Sequence, residues 1–405
     1  MKCGLLGRKL GHSYSPAIHS LLGDYEYCLF EKEPAELEDF LRHGDWDGLN
    51  VTMPYKKAVI PYLDSLTPTA DKVGAVNTII RRDGKLIGSN TDYWGFQSMV
   101  LKSGLSPAGK KCLVLGSGGA SKVVQSVLNS MEAQTVVISR IGENNYENIS
   151  RHADAAIIVN ATPVGMYPDT GVSPVDLEQF PRLEGVLDVI YNPARTQLLM
   201  DAEHKGIVAM NGLWMLVSQA IEASSLMTGV PISEAKAEDV YRILRRQMEN
   251  IILIGMPGSG KSTIGRLIAD KMGKTFVDTD AEIEKIAKKS IPRIFAEDGE
   301  AVFRAMETQV LSGFGKQSGL VIATGGGCVT QEENNPLLHQ NGTIFWLQRD
   351  LDRLPTDGRP LSVNLGEMLQ RRQPMYAAVA DAAIDNNGLP QTTAAKIVAY
   401  WEEMA

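Results

Sequence analysis

The sequence predicts an α/β protein of three domains, and three observations lead to this prediction. Short apolar runs alternate with helical patterns along most of the chain, which is typical of strand–helix–strand units and of parallel sheets with helices on both faces. Two of these units open with glycine-rich turns that follow different sequence rules. The length of 405 residues suits two to four domains of about 100–200 residues each. We therefore expect domains at 1–100, 101–249 and 250–405.

Composition narrows the class of protein. Apolar residues make up 44% of the chain and charged residues 22%, with a formal net charge of −8, which argues against non-specific nucleic-acid binding. Cys3, Cys28, Cys112 and Cys328 are scattered without metal-ligand spacing, so we expect reduced thiols. No signal peptide or membrane-length apolar run is visible. We therefore expect a cytoplasmic enzyme that acts on small molecules and has no membrane partner. The sequence leaves open whether it is a monomer or a homodimer.

The predicted elements are short. The strands are expected at 111–115, 135–139, 156–160, 186–190, 207–210, 251–254, 320–323 and 343–347, and helices at 123–131, 197–204, 240–248 and 263–272. A helix that leads at once into a strand near 250 leaves room for only a very short linker there.

The first glycine-rich turn follows the strand at 111–115. Its glycines at 116, 118 and 119 permit a tight turn and a close approach of a pyrophosphate, and Ser121 is a small residue at the third glycine position. This pattern indicates a Rossmann domain. Arg140 follows the next strand, where a cation suits the 2′-phosphate of NADP, so NADP is favoured over NAD.

The second turn, at 255–262, is a Walker A phosphate loop between a strand and a helix. Its backbone N–H groups would cradle phosphates, Lys261 would reach the β and γ phosphates of ATP, and the Ser262 hydroxyl would ligate Mg²⁺. Asp278 and Asp280 follow the next apolar run, so we expect one to hold the metal and the other to take a proton from an attacking hydroxyl.

The first 100 residues hold polar clusters. Ser13 and Ser15 open a predicted helix and are expected to cap it. Lys56 and Asp92 form the obvious pair that could deliver a proton to an alkoxide.

Residues 250–405 resemble the shikimate kinases. The motifs occur in the family's order: the phosphate loop, Asp278-Thr279-Asp280, Phe303-Arg304 with Glu307, the glycines at 325–327, Arg359-Pro360-Leu361, and Arg372 to Tyr376. The resemblance implies shikimate binding by Asp280, Arg304, Gly326, Gly327 and Arg372. It implies ATP binding by Gly258, Ser259, Gly260, Lys261, Ser262, Thr263, Arg353 and Arg359, the last from a lid at 350–362. Lys261, Asp280 and Arg359 would act in catalysis, and Ser262 and Asp278 would hold Mg²⁺.

Residues 1–249 resemble the shikimate dehydrogenases. The motifs lie at 12–16, 50–56, 74–78, 90–92, 116–121 and 160–166, completed by 188–193 and 212–219. The resemblance implies that Lys56 is the catalytic acid/base with Asp92 as its partner, and that the helices of 212–249 pack back on the first domain. Substrate contacts would come from Ser13, Ser15, Thr52, Asn77, Asp92, Tyr191 and Gln219. NADP(H) contacts would come from Gly116, Gly118, Gly119, Ala120, Ser121, Arg140, Thr162, Val189, Gly212 and Met215.

The two resemblances support each other, because the product of the first activity is the substrate of the second. We expect a bifunctional enzyme that reduces 3-dehydroshikimate with NADPH and then phosphorylates shikimate with ATP. Two alternatives stay open: an NAD-dependent quinate/shikimate dehydrogenase in the first half, and a non-catalytic sensor of these metabolites. The intact pairs Lys56/Asp92 and Lys261/Ser262 argue against the sensor.

Overall fold

The computed structural model describes residues 1–11, 13–354 and 364–404, apart from the side chain of residue 404. Contacts within the chain divide it into two compact units. The first unit comprises Met1–Val164, Ser173–Tyr191 and Asp201–Leu244, and the second comprises Gly165–Val172, Asn192–Met200 and Arg245–Ala405. Within the described residues, no helix is long and apolar enough to cross a membrane.

A mixed sheet opens the first unit, with strands in the order β2-β1-β3-β5-β6-β4. β1 pairs in parallel with β2 and β3, whereas β5 pairs antiparallel with β3 and β6. The purely parallel arrangement suggested by strand–helix alternation is wrong here, because a tight turn with positive φ at Asp83 and Gly84 joins β5 directly to β6. The elements are β1 (Lys2–Gly7), α1 (Ser15–Leu22), β2 (Glu26–Glu31), α2 (Leu37–His43), β3 (Gly48–Val51), β4 (Ser65–Leu66), α3 (Pro68–Val73), β5 (Thr78–Arg82), β6 (Lys85–Ser89) and α4 (Thr91–Ser103).

The second sheet of the first unit is parallel throughout, in the order β11-β10-β9-β7-β8. Chain order reverses at β7, so the carboxyl ends of β7 and β9 form a topological switch point. The elements are β7 (Lys111–Leu115), α5 (Gly119–Ser130), β8 (Gln134–Ile138), β9 (Ile157–Asn160), β10 (Gly185–Asp188), α6 (Gln197–His204), β11 (Val208–Met210), α7 (Leu213–Thr228) and α8 (Glu234–Met248). α7 packs closely along α4 and also contacts α1.

The sheet of the second unit is also parallel, in the order β13-β14-β12-β15-β16. Its switch point lies at the carboxyl end of the central strand β12, where the phosphate loop begins. The elements are β12 (Asn250–Ile254), α9 (Lys261–Met272), β13 (Thr275–Asp278), α10 (Thr279–Ala287), α11 (Ile291–Glu297), α12 (Glu300–Gly315), β14 (Leu320–Ala323), α13 (Asn334–His339), β15 (Gly342–Gln348), α14 (Leu365–Val379), β16 (Ala382–Asp385) and α15 (Pro390–Met404).

The sequence-predicted strands agree with these bounds to within about two residues, which is the usual uncertainty of element ends. The predicted start of the helix at 123 is wrong, because α5 begins at Gly119 inside the glycine-rich turn. Glycine has low helix propensity, yet Gly119 forms the first residue of α5. The apolar strands are buried on both faces, as helix-covered parallel sheets require.

Two segments that precede residue 245 belong to the second unit. In one of them, Asn192–Met200, the Ala194 N–H donates to Asn341 Oδ1 at 2.7 Å and the Arg195 N–H donates to the Gln340 carbonyl at 2.8 Å. The Arg195 guanidinium also donates to the His339 carbonyl at 3.2 Å. These contacts fix the segment at the turn between α13 and β15.

Candidate active sites

An ion pair between Lys56 and Asp92 is the centre of the first site. Lys56 lies in the loop after β3, and Asp92 lies in the first turn of α4, whose start is capped by Asn90. Lys56 Nζ donates to Asp92 Oδ2 at 2.7 Å, and the two side chains keep 30% and 17% of their exposure. A pair that is confined but still reachable by solvent and substrate can exchange a proton with both.

Asn77 links the sequence motifs that meet at this pair, because it hydrogen-bonds to the residue next to Asp92. Its Oδ1 accepts the Thr91 N–H at 2.6 Å, and its Nδ2 donates to Thr91 Oγ1 at 3.0 Å. The neighbouring Val76 N–H donates to the Lys56 carbonyl at 2.7 Å. The motifs at 50–56, 74–78 and 90–92 therefore converge on one place, although they are far apart in the sequence.

The two serines at α1 do not cap it in the predicted way. The N-cap residue is Tyr14, without a side-chain cap, because Ser15 is already the first helical residue. Ser13 Oγ instead accepts the Ser15 N–H at 3.2 Å. The capping prediction is thus wrong, and His12 of the same motif lies outside the described residues.

Other predicted substrate contacts lie on elements around this loop cluster. Thr52 follows β3 directly, and Tyr191 packs edge-on against Tyr14 with ring centroids 6.0 Å apart. Gln219 lies on α7, which approaches α4 so closely that a Cβ on Gly95 would come within 2.9 Å of the Gln219 Cβ. Among the described hydrogen bonds, none joins Tyr191 or Gln219 to the Lys56–Asp92 pair.

The predicted dinucleotide turn lies at the switch point between β7 and β9. Gly116 has a φ of 101°, and a Cβ there would lie 2.8 Å from Thr162 Cγ2. At Gly118 and Gly119, by contrast, nothing lies within 4 Å of an added Cβ. The start of α5 therefore presents an open backbone surface with helix-terminal N–H groups, which suits a pyrophosphate.

The remaining residues predicted to bind NADP(H) frame this turn. Ala120 and Ser121 form the first turn of α5, and buried Ser121 Oγ accepts from Gln125 Nε2 at 2.9 Å. A Cβ on Gly212 would lie 2.1 Å from the Val189 carbonyl oxygen, so only glycine fits there.

Two more of these residues lie at helix and strand ends. Met215 lies in the first turn of α7, and Arg140 is exposed just after β8. Burial raises the pKa of Tyr146, and the positive charge of Arg140 opposes that rise. Arg140 therefore presents its charge near the end of β8.

The second site begins with the phosphate loop after β12. Gly258 and Gly260 have positive φ values of 81° and 91°, so the loop curls as Walker A loops do. Lys261 Nζ donates to the Gly255 and Met256 carbonyls at 2.9 and 3.0 Å, across the mouth of the loop. The predicted loop residues, Gly258, Ser259, Gly260, Lys261, Ser262 and Thr263, thus lead directly into α9.

Ser262 and Asp278 form an oxygen-rich pair beside the loop. Ser262 Oγ donates to Asp278 Oδ2 at 2.6 Å, and Asp278 Oδ1 accepts the Asp280 N–H at 3.1 Å at the start of α10. A hydroxyl and a carboxylate are hard oxygen ligands, and Mg²⁺ typically takes one or two protein oxygens beside phosphate and water. The pair fits the predicted magnesium position.

The glycines at 325–327 are surrounded by charged side chains. An added Cβ on Gly325 would lie 2.7 Å from Asp280 Oδ1 and 2.5 Å from Glu307 Oε1, and one on Gly327 would lie 2.4 Å from Arg304 Nη1. Arg304 donates to Glu307 Oε2 at 2.6 Å. Burial raises the pKa of Asp280 and of Glu307, and the Arg304 charge opposes both shifts.

Two arginines of the second site have different surroundings. Arg372 is buried, and its Nη1 donates to the Gly326 carbonyl at 3.0 Å, so it does join the glycine turn. Arg353 is half exposed and donates to the Asn387 carbonyl at 2.5 Å. Arg359 and most of the predicted lid lie outside the described residues.

Two residues that the sequence did not single out lie beside the phosphate loop. Asn386 Nδ2 donates to the Ser259 carbonyl at 2.5 Å, and Arg349 Nη1 lies 3.7 Å from where a Cβ on Gly260 would be. Both follow strands, β16 and β15, whose carboxyl ends face the crevice. A search of all strand ends, rather than of known motifs, would have found them.

Comparisons with known proteins show which families the chain resembles. Residues 5–79 match the family model "Shikimate dehydrogenase substrate binding domain" and residues 257–402 match "Shikimate kinase". The "Shikimate dehydrogenase (NADP(+))" of Clostridium perfringens strain SM101 is 34% identical over 264 residues, covering 60% of this chain and 97% of that protein.

Two solved structures resemble part of the chain. A chorismate mutase/shikimate 5-dehydrogenase fusion protein from Clostridium acetobutylicum is 37% identical with a TM-score of 0.57, covering 60% of this chain and 96% of that one. The shikimate 5-dehydrogenase from Thermus thermophilus, in complex with NADP(H) and shikimate, is 30% identical with a TM-score of 0.54, covering 60% and 99%.

The fold and the family matches together define an oxidoreductase and a P-loop phosphotransferase on one chain. The chain belongs to the shikimate dehydrogenase family, and it continues into a shikimate kinase domain, so it is a dehydrogenase–kinase fusion. The predicted cofactors, NADP(H) for the first activity and ATP with Mg²⁺ for the second, are those of the families that it matches.

Proposed function

We propose that the chain catalyses two consecutive steps: NADPH-dependent reduction of 3-dehydroshikimate to shikimate, and ATP-dependent phosphorylation of shikimate to shikimate 3-phosphate. The 2.7 Å pair of Lys56 and Asp92 carries the first half of the proposal. The convergence of the phosphate loop, Asp280 and Arg304 around the glycines at 325–327 supports the second half.

In the reduction, NADPH supplies the hydride. Lys56 donates a proton to the oxygen that becomes the new hydroxyl, and Asp92 orients the ammonium group through their ion pair. Asn77 fixes the position of Asp92 through its two hydrogen bonds with Thr91. The exposed charge of Arg140 favours NADP(H) through its 2′-phosphate.

In the phosphorylation, Asp280 orients the attacking hydroxyl and accepts its proton. The raised pKa of this carboxyl makes it a better base than an exposed aspartate, and Lys261 and Arg304 lie close enough for their charges to act on it. Arg304 and Arg372 bind the substrate carboxylate, for which the planar guanidinium group is suited. Lys261 leaves the loop carbonyls to neutralise charge on the phosphates.

The experiment is a paired assay on the purified full chain. The protein receives 3-dehydroshikimate and NADPH with Mg²⁺, and the loss of NADPH absorbance is followed. After that reaction is complete, ATP is added and ADP release is measured. We expect both signals, and shikimate 3-phosphate as the final product by mass spectrometry.

Lys56→Ala and Lys261→Ala are the matched controls, because each removes the cation of one site. Parallel reactions with NADH and with quinate plus NAD⁺ test the alternative dehydrogenase. A faster reaction with quinate and NAD⁺ than with shikimate and NADP⁺ would overturn the first half of the proposal. A protein that binds shikimate but gives neither signal would be a sensor.

A further inference from the structure

A chain of buried polar side chains lies beneath the first site. His19 on α1 is 1% exposed and stacks on Tyr27 with 4.0 Å between the ring centroids and 9° between the planes. Its Nδ1 lies 2.6 Å from Tyr25 Oη, and Tyr25 donates to Ser224 Oγ at 2.8 Å. Burying polar groups costs free energy unless they are paired, so packing alone does not account for a histidine here.

The histidine is neutral at physiological pH. His19 Nδ1 and Tyr25 Oη share one hydrogen bond, in which the donor depends on the tautomer of the ring. Burial lowers the pKa of His19 to about 3, and a hydrogen bond with Asn50 opposes only part of that shift. His19 therefore acts through geometry and not by taking up a proton at physiological pH.

The polar chain leads to two predicted substrate contacts. Tyr27 donates to Asn50 Oδ1 at 2.7 Å, and its hydroxyl is also hydrogen-bonded with Ser15. Asn50 Nδ2 donates to Thr78 Oγ1 at 3.3 Å, and Thr78 donates to Asn77 Oδ1 at 3.2 Å. Ser15 and Asn77 are thus connected to the same buried ring through hydrogen bonds and ring stacking.

The other end of this series of polar side chains reaches the helix that carries a third predicted substrate contact. Ser224, which is 1% exposed, lies on α7, the helix that also carries Gln219. His19 and Tyr25 therefore tie together α1, the start of β5 and α7, the three elements that present Ser15, Asn77 and Gln219.

We propose that His19 and Tyr25 are positioning residues for the reduction, which set the spacing between Ser15, Asn77 and Gln219 and so determine affinity for the hydroxylated ring acid. Neither residue needs to touch the substrate. The inference rests on the proposed function, because Ser15, Asn77 and Gln219 are substrate contacts that the resemblance to the shikimate dehydrogenases implies for that reaction.

The test uses the full chain and two variants. Tyr25→Phe keeps the ring and removes the hydroxyl between His19 and Ser224, while His19→Phe keeps a ring on Tyr27 and removes both nitrogens. Tyr62→Phe, which removes a hydroxyl beside a different core cluster of the first unit, is the matched control. Both KM values, kcat, the kinase rate and the melting temperature are measured for each protein.

We expect Tyr25→Phe to raise the KM for 3-dehydroshikimate about fivefold to tenfold, as the loss of hydrogen bonds that order a binding site does. The KM for NADPH, the kinase rate and every constant of Tyr62→Phe should change by less than about twofold. His19→Phe should raise the KM for 3-dehydroshikimate by a larger factor and leave the KM for NADPH and the kinase rate unchanged. If this variant fails to fold, Tyr25→Phe alone tests the inference.

A folded Tyr25→Phe protein with an unchanged KM for 3-dehydroshikimate would overturn the inference, and so would an equal rise of both KM values. A lower melting temperature with unchanged kinetics would show a purely structural role and would also overturn it. If the wild-type chain reduces no 3-dehydroshikimate, the proposed function fails and the inference fails with it. If the wild type is active, an unchanged KM in Tyr25→Phe overturns the inference and leaves the proposed function intact.

Discussion

Replacing Gly326 by alanine should impair the kinase strongly and leave the dehydrogenase intact. Gly326 does not have a positive φ, so its backbone accepts any residue and the effect comes from the added Cβ alone. That Cβ would lie 2.6 Å from Pro257 Cδ and 2.8 Å from Pro257 N, on the phosphate loop. Ordinary contacts begin at 3.4 Å. The loop and the glycine turn must therefore separate by about 0.8 Å, since a proline ring and backbone cannot rotate away.

This separation defines the expected magnitude. Overpacking a rigid contact typically costs about 1–3 kcal/mol of stability. The larger effect is on catalysis, because the shift moves the ATP-binding loop relative to Gly326, whose carbonyl accepts from Arg372. A misplacement of about 1 Å between reacting groups costs on the order of 10²-fold in rate. We expect a kinase rate lowered about a hundredfold.

The assay is ADP release with shikimate and ATP, with NADPH oxidation measured on the same preparation. Gly313→Ala is the matched control, because Gly313 lies in α12 of the same unit and nothing lies within 4 Å of its added Cβ. That variant should keep its kinase rate and gain up to about 1 kcal/mol in stability from helix propensity. A Gly326→Ala protein whose kinase rate stays within about threefold of the wild type would refute the rigid-contact argument.

Three further predictions test the two sites. Lys56→Ala should lower the reduction rate about 10²–10⁴-fold without changing the kinase rate, and Lys261→Ala should lower the kinase rate without changing the reduction. An equimolar mixture of the two variants should therefore still convert 3-dehydroshikimate to shikimate 3-phosphate, after a lag. Loss of both activities in either folded variant would contradict two separate sites. Arg140→Ala should raise the KM for NADPH and leave NADH use nearly unchanged; equal losses with both cofactors would exclude the 2′-phosphate role. Asp280→Asn should abolish phosphorylation yet raise the melting temperature at neutral pH, because the carboxylate of the wild type is buried with a raised pKa. That stability penalty develops as pH rises from the unfolded value near 3.8 and is complete above the folded pKa, so the gain should vanish in acid; a lower melting temperature at neutral pH would contradict the sign.

The fold was largely predictable because its signals are local. Strands buried on both faces read as apolar runs, and both nucleotide turns carry glycines at positions that need positive φ, such as Gly116 and Gly260. The antiparallel β5–β6 hairpin was not predicted, although Asp83-Gly84 at its turn is a typical two-residue hairpin signal. The membership of Asn192–Met200 in the second unit was also missed, since contacts such as Ala194 with Asn341 join positions far apart in the sequence.

The site residues could be predicted only where they belong to a recognisable sequence motif. Lys56 and Asp92 could be paired in advance because a reduction needs a proton donor and a partner, and the structure places them 2.7 Å apart. Asn386 and Arg349 belong to no motif, since each is a single polar residue after a strand. Their approach to the phosphate loop depends on the strand order β12-β15-β16, which propensity and periodicity do not specify.

The carboxylates of the second site show why functional sites are difficult to predict from local sequence patterns. Asp280 Oδ1 and Glu307 Oε1 are buried, and within the described residues neither has a hydrogen-bond partner. Both would contact a Cβ added to Gly325, at 2.7 and 2.5 Å, so they face the same side of the glycine turn. Such an arrangement is costly for the folded chain, and burial raises both pKa values accordingly. Under the proposed function, hydroxyl groups of the substrate donate to these carboxylate oxygens, so the cost to stability and the recognition of the substrate have one cause. On the same proposal, a residue that would improve folding here, such as asparagine at Asp280, removes the acceptor of the transferred proton.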